Sequence, residues 1–425
     1  MRLQFADNPP EVAAGPRPAA AGSTRGAAAQ AHLTYCLNVH PGEEWDACLG
    51  AIRTHALAVR DRVAPDKPFG LGLRLSAIAA DELAQPARLD EFKRLLADNG
   101  LYVFTVNGFP YGHFHGTAVK DAAYSPDWTS RHRMEYTRTL ASVLAGLLPA
   151  GMTGSISTVP LTYRPWARGD DAVAGMVAHL AQCAAHLAEL ARDGRQIVLS
   201  LEPEPDCLLE TTDDVLAFFQ RWDGLAVKEI QRQLGGVGDD AMAVWRRHVG
   251  VCLDAAHSAV QFEQPIDALN RLCAAGIRVG KIQFSAGLES RLEPEALRRL
   301  STFAESTYLH QTRVRHADGA VEKFPDLGAF LDSCKSPAGN RQSAVARVHF
   351  HVPLFWRGDS MLGSTADDLR GRFAAAIRRG ACEHLEIETY TWNVMPEALR
   401  PGDIDDAIAR EFQWVLELLA PAGVR

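Results

Sequence analysis

The sequence predicts an α/β protein whose parallel strands close into a (β/α)8 barrel. Three observations carry that expectation. First, five short apolar runs end in ionisable or polar residues: QIVLSLEPEP (196–205), VGVCLDAAHS (249–258), RVGKIQFSAG (278–287), RVHFHVPLFW (347–356) and HLEIETYTWN (384–393). Second, strand alternation splits each run into one apolar and one polar parity. Leu199 and Leu201 oppose Ser200 and Glu202; Val251 and Leu253 oppose Cys252 and Asp254. Ile282 and Phe284 oppose Lys281, Gln283 and Ser285; Val348 and Phe350 oppose His349 and His351; Leu385 and Ile387 oppose Glu386 and Glu388. Third, helical periodicity fills most gaps between strands, as βα repeats require.

Taken in order, residues 1–30 are rich in Ala, Gly, Pro and Arg without periodicity and read as a disordered leader. A single barrel domain is expected over 31–425. HLTYCLNVHPGE (32–43) opens it as a strand, and apolar residues from Trp45 to Val63 recur at helical steps. FGLGLRLS (69–76) is a strand with Arg74 on its polar side, and Asn99-Gly100 stops the helix over 87–98. LYVFTVNGFPYGHFHG (101–116) is a strand that ends in Thr105 and Asn107, then a loop rich in aromatics, Gly and His. Helices follow over 130–148 and 170–192, on either side of the strand GSISTVPLTYR (154–164). Thr211 and Thr212 before Asp213 and Asp214 start a helix over 213–222, and Gly-broken helical text fills 225–248. Further helices are expected over 264–274, 293–304, 365–379 and 403–419. Residues 308–325 differ: two strands meet at Asp318-Gly319, a hairpin signal, and read as an insertion. A short helix in FPDLGAFLDS and a loop over 336–343 follow.

Strand starts fall near 34, 71, 103, 156, 198, 251, 279, 347 and 385, nine candidates for eight places. Either the first is peripheral, or one of 279 and 347 is not a stave. A doubly wound open sheet is disfavoured, because no glycine-rich phosphate loop is present and polar residues end nearly every strand.

Composition bounds the function. The chain has 425 residues, 47% hydrophobic and 23% charged, with net charge −8. An acidic balance argues against nucleic acid as a partner. Eight cysteines are scattered without a C-x-x-C, as in a protein of a reducing cytoplasm. No membrane span is expected, since no run of 18 apolar residues occurs.

A barrel brings its strand ends to one rim, so Glu202, Asp254, Gln283, His351 and Glu388 are expected to converge. Carboxylates this close repel unless a cation lies between them. The donor types suit Mn²⁺, Mg²⁺, Co²⁺ or Zn²⁺. Such an ion, bridging two neighbouring substrate oxygens, acidifies the C–H between them, and a spare carboxylate moves the proton. Glu202, Glu388 and His257 are the candidates for catalysis. Arg74, Asn107, His257 and Lys281 are candidates for substrate binding, with Trp356 and Trp392 stacking on it. Each has a plainer reading: Asp254 as a helix cap, Lys281 as a salt-bridge partner, His349 as a core histidine, the tryptophans as a roof.

With those residues in hand, the chain resembles the EboE-type metabolite-traffic proteins of the xylose-isomerase-like TIM-barrel superfamily. The phrases that carry the likeness include TYCLNVHPGE, PFGLGLRLS, GLYVFTVNGFPYGHFHG, SLEPEP, CLDAAH, KIQFSAG, YLHQ, VHFHVPLFW and LEIETYTWNV, over about 32–420. The resemblance implies a sugar isomerase or epimerase type of barrel, with a Glu, an Asp, a His and a Glu on one divalent ion. Glu202, Asp254 and Glu388 match by position, and His257 matches a substrate-facing histidine. Gln283 stands where many relatives carry a metal-binding His, which leaves the place to His351. The resemblance also implies a metabolite pathway, often beside a prenyltransferase-like membrane protein.

The expectation is therefore a divalent-metal-dependent barrel enzyme that acts on a small polyoxygenated metabolite. The rivals are a carrier that only binds the metabolite, and an endonuclease-IV-like nuclease. The nuclease would draw on histidines 40, 113, 115, 257, 349 and 351 but lacks a basic balance.

Overall fold

A computed structural model describes residues 1–5, 29–235, 240–335, 343–400 and 402–420. Its strands, in chain order, are β1 (Arg2–Gln4), β2 (Gln30–Tyr35), β3 (Phe69–Arg74), β4 (Leu101–Asn107), β5 (Gly154–Thr158), β6 (Ile197–Leu201), β7 (Val249–Asp254) and β8 (Val279–Phe284). They continue with β9 (Gly287–Arg291), β10 (Thr312–Arg315), β11 (Val321–Phe324), β12 (Val345–His351), β13 (Leu362–Ser364) and β14 (His384–Ile387).

Eight of these form the barrel. β3 to β8 pair in parallel in sequence order, β8 pairs with β14, and β14 with β2. A parallel bridge from Cys36 to Gly72 joins the end of β2 to β3 and closes the ring. Closure is tight there. A Cβ on Gly72 would meet the Tyr35 carbonyl oxygen at 2.7 Å, so only glycine fits. The first strand is thus a stave, and the ninth candidate is the one near 347. β12 belongs instead to a five-stranded antiparallel sheet of order β11-β10-β12-β9-β13.

That sheet lies in the long connection from β8 to β14. The hairpin expected at Asp318-Gly319 is present as β10 and β11, with Gly319 at φ +91°. The insertion is larger than 308–325, however, because β10 pairs on β12, and β12 on β9.

Apart from β4, where Phe104 packs on the inward His384 ring, the polar parity faces into the barrel. Contacts between strands that are not neighbours prove it: His384 Nδ1 meets Ser155 Oγ at 2.8 Å, and Lys281 Nζ donates to Ser157 Oγ at 3.3 Å. The apolar parity (Leu199, Val251, Ile282, Leu385) is fully buried outside the ring, under the helices. A helix over Trp45–Val63, with one π turn, and helices Pro86–Asp98, Arg131–Leu147, Asp170–Arg192 and Ile404–Leu419 fall where periodicity places them. Two segments differ. One helix runs unbroken over Thr212–Gln233 through Gly224, started by a Thr211–Asp214 capping box. The stretch 365–379 divides into a 3₁₀ turn (Thr365–Leu369) and a helix (Arg372–Arg378) at Gly371, whose φ is +61°.

The expected leader falls mostly on 6–28, outside the described residues. Its start is corrected: β1 pairs antiparallel with β2, Leu3 opposite Ala31. Most of the expected loop over 336–343 also lies outside them. Among the described residues no helix is long and apolar enough to cross a membrane.

Candidate functional site

Six side chains meet at the C-terminal mouth of the barrel. Glu202 follows β6, Asp254 ends β7, and Glu388 follows β14. His257 lies on the short helix Ala255–Val260, while His349 and His351 come from β12 in the inserted sheet. Three overlapping triads, Glu202–Asp254–His257, Asp254–His351–Glu388 and His257–His349–His351, each bring one donor atom per residue within 4.8 Å of one another. Two donors opposite each other on one ion stand about 4.2 Å apart, so the spacing is of coordination scale.

Hydrogen bonds orient the set. Asp254 Oδ1 caps its helix by accepting from the His257 amide at 2.9 Å, and it accepts from Ser285 Oγ at 2.7 Å. Oδ2 is buried and has no partner. The plainer reading of Asp254 as a cap is therefore true of one oxygen only. Glu388 Oε1 accepts from Asn38 Nδ2 at 2.7 Å and Asn107 Nδ2 at 3.3 Å.

All three histidines donate through Nδ1, because carbonyl oxygens can only accept. His257 Nδ1 donates to the Pro203 carbonyl, His351 Nδ1 to the Glu388 carbonyl, both at 2.9 Å, and His349 Nδ1 to Gln311 Oε1 at 2.8 Å. The Nε2 atoms of His349 and His351 keep their lone pairs and are buried without a partner, whereas, against its burial, Asp254 and the neighbouring glutamates raise His257 above its ordinary value. An imidazole held through Nδ1 with Nε2 free is prepared to ligate a metal.

The electrostatics are unbalanced. Among the described residues no lysine or arginine pairs with Glu202, Asp254 or Glu388. Burial, with Asp254 adding to it against the pull of His257, pushes Glu202 up to about 8. Burial and the neighbouring Glu202 carboxylate push Glu388 well above its ordinary range. Burial lowers His351 to about 4, so it is neutral, the form that binds metals. Three carboxyl groups, the neutral imidazoles of His349 and His351, and four unpartnered buried donors (Glu202 Oε2, Asp254 Oδ2, His349 Nε2 and His351 Nε2) fit a divalent cation.

A narrow cavity of about 60 Å³ stands above the cluster. Glu202, Glu204, His257, His349 and Glu388 face it from below, with Asn38 and Asn107 beside them. Phe109, Phe114, Tyr124, Tyr308 and Tyr390 surround the rest. Phe114, Tyr308 and Tyr390 pack as an aromatic cluster separate from the main core.

Glu202, Asp254, His257, His351, Glu388 and Asn107 thus come together as the sequence predicts. Five other candidates do not. Gln283 turns its carbonyl oxygen, the atom a metal would use, to the Cys252 thiol at 3.1 Å. Lys281 is fully buried lower in the barrel, with Nζ 2.5 Å from Glu386 Oε2. Arg74 donates to the carbonyls of Gly42 (2.7 Å) and Gly112 (2.6 Å) and pairs with Glu43 at 2.9 Å, so it ties loops together. Trp356 and Trp392 pack on the main core and do not line the cavity.

Sequence reasoning missed His349 as a donor, and missed Glu204, whose Oε1 accepts from Tyr124 at 2.7 Å. Val-His-Phe-His places both imidazoles on one face, which was signal enough for His349. Of the remaining nuclease histidines, His40 bonds Tyr35 and stacks on His55, away from the cluster.

No known family matches the chain in a scan of family profiles, and no curated protein matches it. Solved structures do. The probable 3-DHS dehydratase AsbF of Bacillus anthracis, involved in petrobactin synthesis, aligns at 13% identity and TM-score 0.44, over 90% of this chain and 97% of its own. The IOLI protein, solved with a bound zinc atom, aligns at 11% and 0.42, over 91% and 98%. A xylose isomerase-like TIM-barrel protein of Mycobacterium smegmatis, in complex with magnesium, aligns at 14% and 0.45, over 85% and 86%. These are likenesses of fold, and the barrel assignment itself rests on the closed ring of eight parallel strands.

Proposed function

We propose that the protein is a divalent-metal-dependent barrel enzyme that moves a proton next to a carbonyl on a small oxygenated metabolite, as in isomerisation or epimerisation. One observation carries this reading: four buried donor atoms, on Glu202, Asp254, His349 and His351, share one cluster and lack a protein partner. Native proteins seldom leave buried polar atoms in that state.

Glu202, Asp254, His351 and Glu388 would hold the ion, with His349 as a further donor. A bound divalent cation would polarise a substrate oxygen and acidify the adjoining C–H. Glu202 and Glu388 both face the cavity, and a substrate proton would be taken up and returned at their carboxylate oxygens. His257, fixed by the Pro203 carbonyl, would orient the substrate, while Asn107, tied to Glu388 and the Phe109 amide, would hold the Glu388 carboxyl in place. The small, aromatic-lined cavity and the net charge of −8 favour a small molecule over a nucleic-acid strand, and so disfavour the nuclease. The EboE-type assignment, with a place in metabolite biosynthesis or traffic, is part of this proposal and rests on the phrases quoted above.

Elemental analysis of the purified protein tests the reading. A bound divalent ion, lost in Glu202→Gln and Asp254→Asn variants that keep their circular dichroism, is the expected result. Protein that takes up no Mn²⁺, Mg²⁺, Co²⁺ or Zn²⁺ at millimolar concentration yet still binds a metabolite would be the carrier instead.

A further inference from the structure

The walls above the cluster are unlike its floor. Their polar atoms are largely spent within the protein. Lys120 Nζ donates to the Tyr308 carbonyl (2.7 Å), the Glu305 carbonyl (3.2 Å) and Asp326 (2.7 Å), which uses all three protons. The Tyr124 hydroxyl donates to Glu204 and accepts from Gln311 Nε2 at 2.9 Å. The Tyr308 hydroxyl donates to the Phe114 carbonyl at 2.9 Å. Asn107 is spent at both ends, on Glu388 and on the Phe109 amide. What the walls offer a ligand is the faces of Phe109, Phe114, Tyr308 and Tyr390, with Pro110 and Leu309, and one polar atom, the Tyr390 hydroxyl, that has no hydrogen-bond partner among the described residues.

These rings form one surface. Phe114 and Tyr308 are 5.1 Å apart, Tyr308 and Tyr390 5.1 Å, and Phe114 and Tyr390 5.7 Å, between ring centroids. Tyr390 stands 4.8 Å from the His351 ring, so the apolar surface begins where the donor cluster ends.

We infer that the substrate carries two adjacent oxygens on an otherwise apolar, ring-sized body, and is not a free polyhydroxylated sugar. This rests on the reading of the cluster as a cation site. A sugar would carry several further hydroxyls away from the floor, and most would lose water against walls that leave one hydroxyl, that of Tyr390, to meet them. A planar apolar body would cover the aromatic faces and place its only polar edge on the cluster.

The test uses 4-nitrocatechol, whose visible spectrum changes on coordination, with the full-length Mn²⁺-loaded protein. The expected result is saturable binding that a hundredfold excess of D-fructose or myo-inositol does not displace. Phe114→Ala is expected to weaken that binding about tenfold or more with metal content unchanged, since a buried ring face is lost. Tyr390→Phe, which keeps the ring, should leave it within about twofold. Displacement by either polyol at equal concentration, or unchanged affinity in Phe114→Ala, overturns the inference while the metal site stands. A sample that holds no metal overturns the site reading, and this inference with it. Phe114 lies in the satellite cluster and not in the main core, so the variant is expected to fold; circular dichroism checks this.

Discussion

Two layers of buried charge lie in the same barrel, and they are settled differently. In the interior, Lys281 and Glu386 are both fully buried and face each other at 2.5 Å, with Ser157 beside the ammonium. Burial alone would pull the lysine down, but the Glu386 carboxylate holds it above its ordinary range. At the mouth, Glu202, Asp254 and Glu388 have no lysine or arginine partner among the described residues, and only the His257 imidazole, 3.9 Å from Asp254, stands against their three carboxyl groups. The interior balances its charge with protein atoms, whereas the mouth leaves a deficit that a ligand can fill. A buried pair on its own is weak evidence of function, since burial costs about as much as the pairing returns. An unbalanced cluster is stronger evidence.

The largest effect should come from breaking the interior pair. Lys281→Ala leaves Glu386 buried and uncompensated, and urea denaturation should show a loss of about 3–5 kcal/mol. Lys281→Met with Glu386→Gln should recover much of it, because the orphaned charge is gone. A single variant as stable as the native protein would remove the contrast between the layers.

Glu411 sharpens the comparison, being a buried carboxyl outside both layers. It accepts from the Leu354 amide at 3.0 Å and from Thr389 at 2.7 Å, yet burial pushes it up to about 7. Its folded value lies above the ordinary 4.5, so the folded state binds the proton more tightly than the unfolded one. The stability it contributes is full below about 4.5 and is lost as pH rises towards 7. The shift corresponds to something on the order of 3 kcal/mol. Between pH 5 and pH 8 the native protein should lose more stability than Glu411→Gln by about that amount, the remaining fall belonging to Glu202 and Glu204 at the mouth. An equal fall in the variant would assign the pH dependence to other groups.

Filling the mouth should have an effect slightly smaller than this. At a divalent concentration one hundred times the dissociation constant, the native protein should gain about 2.7 kcal/mol against unfolding. Asp254→Asn should gain little, while Lys281→Ala should keep the response if the two layers are independent. Thermal melts with and without Mn²⁺ read this directly.

Most of the barrel was legible because one parity is apolar and the other polar in most staves; β4 is an exception, with Leu101 and Val103 on the parity of Thr105 and Asn107. Alternation does not record what a strand bonds to, however. β12 reads like the staves around it, but its hydrogen bonds go to β9 and β10 in an antiparallel sheet. For the same reason the site was legible by side and not by depth. Lys281, Gln283, Glu386 and Glu388 all point inward, but two residues along a strand are a rise of about 6.7 Å. That step separates Glu386, tied to Lys281, from Glu388, held by Asn38 and Asn107 at the mouth. Gln283 lies in register with Asp254 on one side and Glu386 on the other, and only its contact with Cys252 shows which way its oxygen is used. Arg74 was assigned by residue type alone, and its acceptors, in loops at 42–43 and 112, are not visible in its own strand.

The smallest effect tests how complete the interior balance is. Ser157 Oγ accepts from Lys281 Nζ at 3.3 Å, across the barrel and in addition to the ion pair. If Glu386 alone satisfies the ammonium, Ser157→Ala should be nearly silent. If the ammonium needs the second acceptor, the variant should lose about 1 kcal/mol, the usual cost of one buried hydrogen bond. We expect the loss, because an ammonium has three donors and one carboxylate oxygen at 2.5 Å leaves the others to be met. The same variant should leave metal uptake at the mouth unchanged. A drop in metal content in Ser157→Ala would mean that the two layers share one charge balance.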